Sequence, residues 1–366
     1  MSEIIRLFLK LGAIGFGGPI ALIGFMEEEC VHKKKWISHE TFQTFVAVSK
    51  LFPGPFATLV AIRIGRERGG TKGGIAAGVG LILPAFILIL ILASATKTLD
   101  SFPFLNPFWL GLTIAALVVA AQATVNLTKP LFKYKKLGTA HLLVLICFAG
   151  VLTYLYPRLE AVFIFLAGFA GLFSKYILPR MRPREVGSIG LLGVLFLSCF
   201  RASLFTFGSG IAIVPVLKTL FLDQYHLISS EQFLKGLTLA QITPGPIVIL
   251  STYLGFVTEG VVGAIVTTVG TFLPTFIFAI FIIPRVEQTL LQNEKLQVFF
   301  SWLLPAVCGA IFGSLVRLTE LSVVIDGQLL LARVALLITL LVIQLRFKLS
   351  PGKVFLLGGF SAYLIR

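Results

Sequence analysis

Residues able to do chemistry in this chain cluster in two short motifs, and each motif occurs twice. Gly15-Phe16-Gly17-Gly18-Pro19 is answered by Phe207-Gly208-Ser209-Gly210, and Phe52-Pro53-Gly54-Pro55 by Thr243-Pro244-Gly245-Pro246. Prolines flanking a glycine remove backbone donors and break a helical ladder. Inside lipid, the amides and carbonyls so freed must be buried in protein or line a wet cavity. Inverted-repeat transporters use such breaks to present half-helix N-termini to anions and bare carbonyls to cations. Helix packing through small residues is the blander explanation and is common in membranes. It accounts for one glycine pair; a matched pair of Pro-Gly-Pro breaks outweighs it.

Intramembrane charge gives the breaks a sign. Lys50 stands three residues before Pro53 in an otherwise apolar run, and Arg201 is the one charge between Val186 and Leu217. A basic side chain at the bilayer centre costs about 2.5–3.5 kcal/mol on insertion scales, so it needs a partner or a wet pocket. Snorkelling to the interface explains Lys10 and Arg201 well enough and Lys50 poorly. An offset of 191 residues places Arg201 over Lys10 and Gln241 over Lys50, so both copies would bring basic or hydrogen-bonding groups to one pocket. Acids placed to neutralise them are few. The expected ligand is therefore a tetrahedral dianion held by Lys50, Gln241, Arg201 and freed backbone amides, with the glycines as joints.

The elements that must position these residues are membrane helices. Of 366 residues, 57% are hydrophobic and only 13% are charged, and mean hydropathy is +0.97. A soluble domain carries about 25% charged residues. The stretches Gly73 to Thr96, Gly236 to Thr258 and Gly260 to Pro284 hold no charge and exceed the ~20 residues a helix needs to cross the hydrocarbon core. The 191 offset also aligns Ile37-Ser38 with Ile228-Ser229, Glu40 with Glu231, Phe42 with Phe233, and Pro53-Gly54-Pro55 with Pro244-Gly245-Pro246. After a slip of one residue, Leu83-Pro84 meets Leu273-Pro274. The chain reads as a duplicated unit, with repeats at 1–178 and 187–366 joined by a basic, proline-rich linker at 179–186.

Each repeat holds about six apolar segments, giving an all-α integral membrane fold of about 10–12 transmembrane helices, broken or re-entrant ones included. Basic connectors follow the second, fourth and sixth segments in the first repeat, and the first, third and fifth in the second. Lys and Arg mark the cytoplasmic side, so the copies are expected in inverted topology, with one broken or re-entrant segment in each. Lys33, Lys34 and Lys35 fit that scheme only beside a re-entrant hairpin.

Composition and spacing exclude several functions. The formal net charge of +15 fits basic cytoplasmic loops and an electrostatic lure for anions. Scattered between apolar segments, the basic residues form no nucleic-acid-binding pattern. Cys30, Cys147, Cys199 and Cys308 lack metal or redox spacing and read as small hydrophobes. No nucleophile with a base, no paired acids and no metal-ligand set falls in the membrane, so neither an enzyme nor a cofactor is expected. Charges at Glu3, Arg6 and Lys10 interrupt the first apolar segment, which is expected to be retained rather than cleaved.

With these motifs in hand, the chain resembles the chromate ion transporter family in its two-repeat form. The likeness rests on Phe8-x3-Gly12-x3-Phe16-Gly17-Gly18-Pro19, Pro53-Gly54-Pro55 and Leu83-Pro84 in the first repeat. In the second it rests on Phe207-Gly208-x-Gly210, Ala240-Gln241-x2-Pro244-Gly245-Pro246, Tyr253-Leu254-Gly255 and Phe272-Leu273-Pro274. This resemblance implies a multi-pass carrier of the inner (cytoplasmic) membrane that exports chromate. A sulfate-like oxyanion is the alternative cargo, and a homodimer is compatible with the reading. The chain departs from the family pattern at Lys50, where a glutamine is usual, and at Ser209 in the second glycine motif.

Overall fold

The computed structural model describes residues 1–15, 18–99, 102–133, 139–156, 190–207, 210–292, 294–325 and 328–365. The 179–186 linker lies outside these. In chain order the helices are α1 (Ser2–Ile14), α2 (Gly18–Glu27), α3 (His39–Ser49), α4 (Phe56–Leu99), α5 (Asn106–Thr128) and α6 (Thr139–Leu155). There follow α7 (Leu191–Leu204), α8 (Ile213–Lys218), α9 (Ser230–Ile242), α10 (Leu250–Ile277), α11 (Ile283–Gln292), α12 (Glu294–Val323), α13 (Leu331–Phe347) and α14 (Pro351–Ser361). Among the described residues the only strands are Val324–Ile325 and Gln328–Leu329. The protein is all-α.

Repeat symmetry shows in details that sequence similarity alone would not fix. Lys35 and His226, 191 residues apart, both take φ of 50°. Ser38 and Ser229, at the same spacing, cap α3 and α9 by accepting the amides of Thr41 and Gln232. The long helices α4 and α10 both contain a bend, at Gly69-Gly70 (Gly70 φ 62°, ψ −159°) and at Glu259-Gly260 (Gly260 φ 59°, ψ −148°). Only glycine occupies that backbone region comfortably.

Those bends turn each helix back on itself. A Cβ added to Gly65 would collide with the Gly73 carbonyl, and one added to Gly255 with that of Gly263. Residues eight apart in a straight helix are about 12 Å apart. Residues 56–68 are therefore a short leg of ~20 Å, too short to cross a core of about 30 Å, and residues 71–99 are a separate crossing leg. One face of each crossing leg is apolar and exposed at every fourth residue: Ile75, Val79, Leu83, Ile87 and Ile91, matched by Ile265, Val269, Leu273, Ile277 and Phe281. In a helix such residues line one stripe, here the stripe turned to lipid.

Two re-entrant hairpins precede the crossing leg in each repeat. The first lies within residues 1–34; its arms, α1 and the stretch from α2 to Lys34, are tied by Lys10–Glu29 at 2.9 Å and Lys34–Glu3 at 2.8 Å. The second joins α3 to residues 56–68 and closes at Pro53-Gly54-Pro55. Sequence reasoning expects a broken or re-entrant segment in each repeat, and among the described residues the proline motifs break the chain at Gly54 and Gly245. A hairpin does lie beside Lys33, Lys34 and Lys35.

Contacts along the crossing leg of the second repeat fix the relative orientation of the two copies. This leg leaves its own hairpin base at Gly260. It passes the tip of the first repeat where Thr275 lies against Gly54, and its continuation, α11, reaches the base side of the first repeat, where Glu287 meets Arg63. The hairpin bases of the two repeats thus lie at opposite ends of one helical path. The topology is inverted, and the main core interleaves Ala85 and Ile89 from one repeat with Phe207, Ile211 and Leu250 from the other.

Candidate substrate site

All four hairpin tips converge. Gly54 N donates to Thr206 O at 2.7 Å, and Gly245 N donates to Gly15 O at 3.1 Å. Gly54 lies 191 residues before Gly245, as Gly15 does before Thr206, so the two bonds are equivalent under the repeat symmetry. Each ties a proline motif of one copy to the glycine motif of the other. Pro53 and Phe207 extend the first contact as an isolated antiparallel bridge. Gly210 packs on Ile247 and Val248, which closes the ring between the tips of the second repeat.

Sharp turns make glycine necessary here. Gly54 has φ of 118° and Gly245 of 101°, conformations that side-chain-bearing residues avoid. A Cβ on Gly54 would also sit 2.6 Å from Thr275 Oγ1, and one on Gly245 3.0 Å from Ala85 Cβ. Prolines on either side bring no amide, so each turn leaves one donor, the glycine N–H. That donor is spent between repeats. Half-helices start beside the tips at Phe56, Gly18 and Ile247, and the first-turn amides of a helix lack intrahelical partners. A helix start carries the positive end of the dipole and favours negative charge.

The sequence-derived site residues divide among three settings. Gly54, Pro55, Thr243, Pro244, Gly245, Pro246, Phe207 and Gly210 are buried at the junction, with Pro53 half-buried. Phe16, Gly17, Gly208 and Ser209 lie outside the described residues; Gly18 and Pro19 open α2. Lys50, Arg201 and Gln241 flank the tips.

Gln241 is the polar group that most lacks an explanation in packing. Both ends of its amide are buried with no hydrogen-bond partner, and Ser49 Oγ, Ser203 Oγ and Thr275 Oγ1 share that state. Native proteins rarely leave such groups unsatisfied, and Ser49, Ser203 and Gln241 lie within five residues of a tip while Thr275 touches one. Lys50 caps the end of α3 and is exposed, its ammonium 5.7 Å from the centre of the Phe56 ring. Arg201 ends α7 and is exposed too. Neither forms an ion pair among the described residues. Lys10 does, with Glu29; the position in the second repeat equivalent to Glu29 is Leu220. The second copy has no acid at that position to neutralise Arg201.

The comparisons with known proteins carry the same two-fold pattern. A family model described as "Chromate transporter" matches residues 2–172 and again 193–363. The chain belongs to the chromate transporter family. Both ends of the second match fall 191 residues after those of the first, the spacing that relates the tips. A chromate transport protein of Cupriavidus metallidurans is 30% identical over 361 residues, covering 93% of this chain and 88% of that protein. A probable chromate transport protein of Synechococcus elongatus is 29% identical, covering 88% and 85%, and a chromate transport protein of Pseudomonas aeruginosa is 28% identical, covering 86% and 80%. No solved structure matches. Members of the chromate transporter family are multi-pass membrane transporters and not enzymes.

Two features, one at the tips and one away from them, escape sequence reasoning. Thr275 is one slip away from the 191 offset and looks like one more threonine in an apolar run. Arg63 reads as the start of a basic connector, yet it is buried against Glu287, 224 residues away.

Proposed function

We propose that this chain exports chromate across the inner (cytoplasmic) membrane as a secondary transporter, binding it near the bilayer midplane where the four tips converge. The observation that carries this reading is the reciprocal pairing of Gly54 with Thr206 and of Gly245 with Gly15. It gathers half-helix N-termini from both repeats beside the unneutralised Lys50 and Arg201. A tetrahedral dianion fits that arrangement in charge and in its need for many donors. Gln241 supplies a donor amide, and Lys50 and Arg201 supply charge from the flanks of the junction. Rocking of one repeat against the other exposes the tips to each side in turn. Export in particular comes from the family resemblance.

Reconstitution tests the reading. Proteoliposomes are expected to take up chromate saturably and to resist excess sulfate, and everted vesicles to accumulate it. Lys50→Ala is expected to abolish or redirect uptake while the protein still inserts. Transport of sulfate in place of chromate would keep the architecture and remove the substrate; a Lys50→Ala variant with unchanged rate and selectivity would remove Lys50 from the site.

A further inference from the structure

Away from the tips, at the base of the first repeat's hairpins, Arg63 is only 3% exposed. One terminal nitrogen donates to Glu287 across the repeats at 2.6 Å, and the guanidinium carbon lies 3.9 Å over the Phe45 ring. The other terminal nitrogen and the second oxygen of Glu287 are buried without a hydrogen-bond partner. Beside them is a cavity of about 200 Å³, which Arg66 and Glu67 also line. One water claims about 30 Å³ of liquid volume, so the space exceeds what a single bridging water requires. Left empty, it would strand two charged-group atoms that cost free energy when unpaired.

We propose that this cavity is a second oxyanion site, distinct from the tips, in which the anion displaces Glu287 from Arg63. Two cations and two acids line it, so the charge is balanced while Glu287 holds Arg63. A tetrahedral oxyanion bound by the planar guanidinium fork takes over that role and sets Glu287 free. Arg63 belongs to the first repeat and Glu287 to the second, so occupancy of the site loosens a tie between the copies. The Arg63–Lys72 connector begins here, and its basic residues mark the cytoplasmic side. The site therefore stands where an outgoing anion arrives, and its arrival releases the repeats to move. The proposal rests on the transport reading for which anion is carried, for its outward direction and for the movement of the repeats.

Equilibrium binding of radiolabelled chromate to the purified full chain in detergent tests it. Two anions per chain are expected, and Arg63→Gln should leave one. Glu287→Gln removes the competitor without changing shape, and should tighten the site that Arg63→Gln abolishes about tenfold, a coupling typical of linked equilibria. A merely structural ion pair would give lower thermal stability in Glu287→Gln and no gain in affinity. Unchanged stoichiometry and affinity in folded Arg63→Gln would overturn the second site; if that variant does not fold, the Glu287→Gln affinity decides. Sulfate binding in place of chromate would overturn the substrate reading, and the same two variants would then judge this site with sulfate. Absence of binding by either anion would overturn both.

Discussion

The amide of Gln241 is buried with no partner at either end, a state that costs about 1–3 kcal/mol in a folded protein. Replacing it with an apolar residue of similar size separates structure from function. Gln241→Leu is expected to raise the thermal unfolding temperature of the purified protein while raising the KM for its anion about tenfold. A variant that loses stability and keeps its KM would show instead that the amide is satisfied in the working protein and does not meet substrate. At this scale the sequence was informative about types and less so about surroundings. Lys50, Arg201 and Gln241 stood out because charge or amide chemistry is rare in apolar runs. That Gly54 and Gly245 would spend their amides on each other's repeats could not be read from spacing, because the partner carbonyls belong to Gly15 and Thr206, residues with no polar side-chain signature in common.

At the scale of elements, the hairpins depend on a few backbone positions. Gly70 sits at φ 62° and ψ −159°, where a side chain costs about 1–3 kcal/mol. Nothing lies within 4 Å of the Cβ that alanine would add there, so Gly70→Ala isolates the backbone term. Denaturant or thermal unfolding should report a loss in that range, and Gly260→Ala should repeat it; no loss in either would mean that the bend is softer than described. The Ser229 capping box, with Ser229 accepting from Gln232 N at 3.2 Å and Ser229 N donating to Gln232 Oε1 at 2.8 Å, is expected to be worth ~1 kcal/mol. The paired prolines announced breaks plainly. The reversal at Gly69-Gly70 was hidden, since a run from Phe56 to Leu99 reads as apolar segments with a basic connector, and only close approach of Gly65 to Gly73 shows the two legs side by side.

For the whole molecule, duplication and inversion follow from a 191-residue offset and from where Lys and Arg fall. The structure adds the path that carries the sense of inversion, from Gly260 past Thr275 to Glu287. Thr71 and Val261, both exposed just beyond the two bends, should therefore face opposite sides of the membrane. In a chain freed of Cys30, Cys147, Cys199 and Cys308, Thr71→Cys and Val261→Cys are expected to react with an impermeant thiol reagent from opposite faces; labelling of both from one face would rule out inversion. The central claim is that substrate passes where the tips of the two repeats pair. Pro53 and Phe207 face each other in an antiparallel bridge, a geometry with Cα atoms about 4.5–5.5 Å apart, within disulfide reach. The most direct measurement is chromate flux in proteoliposomes of a Pro53→Cys, Phe207→Cys chain in the same cysteine-free background. Oxidation should stop the flux and reduction restore it, because the tips can no longer part; full flux through the cross-linked protein would contradict the account.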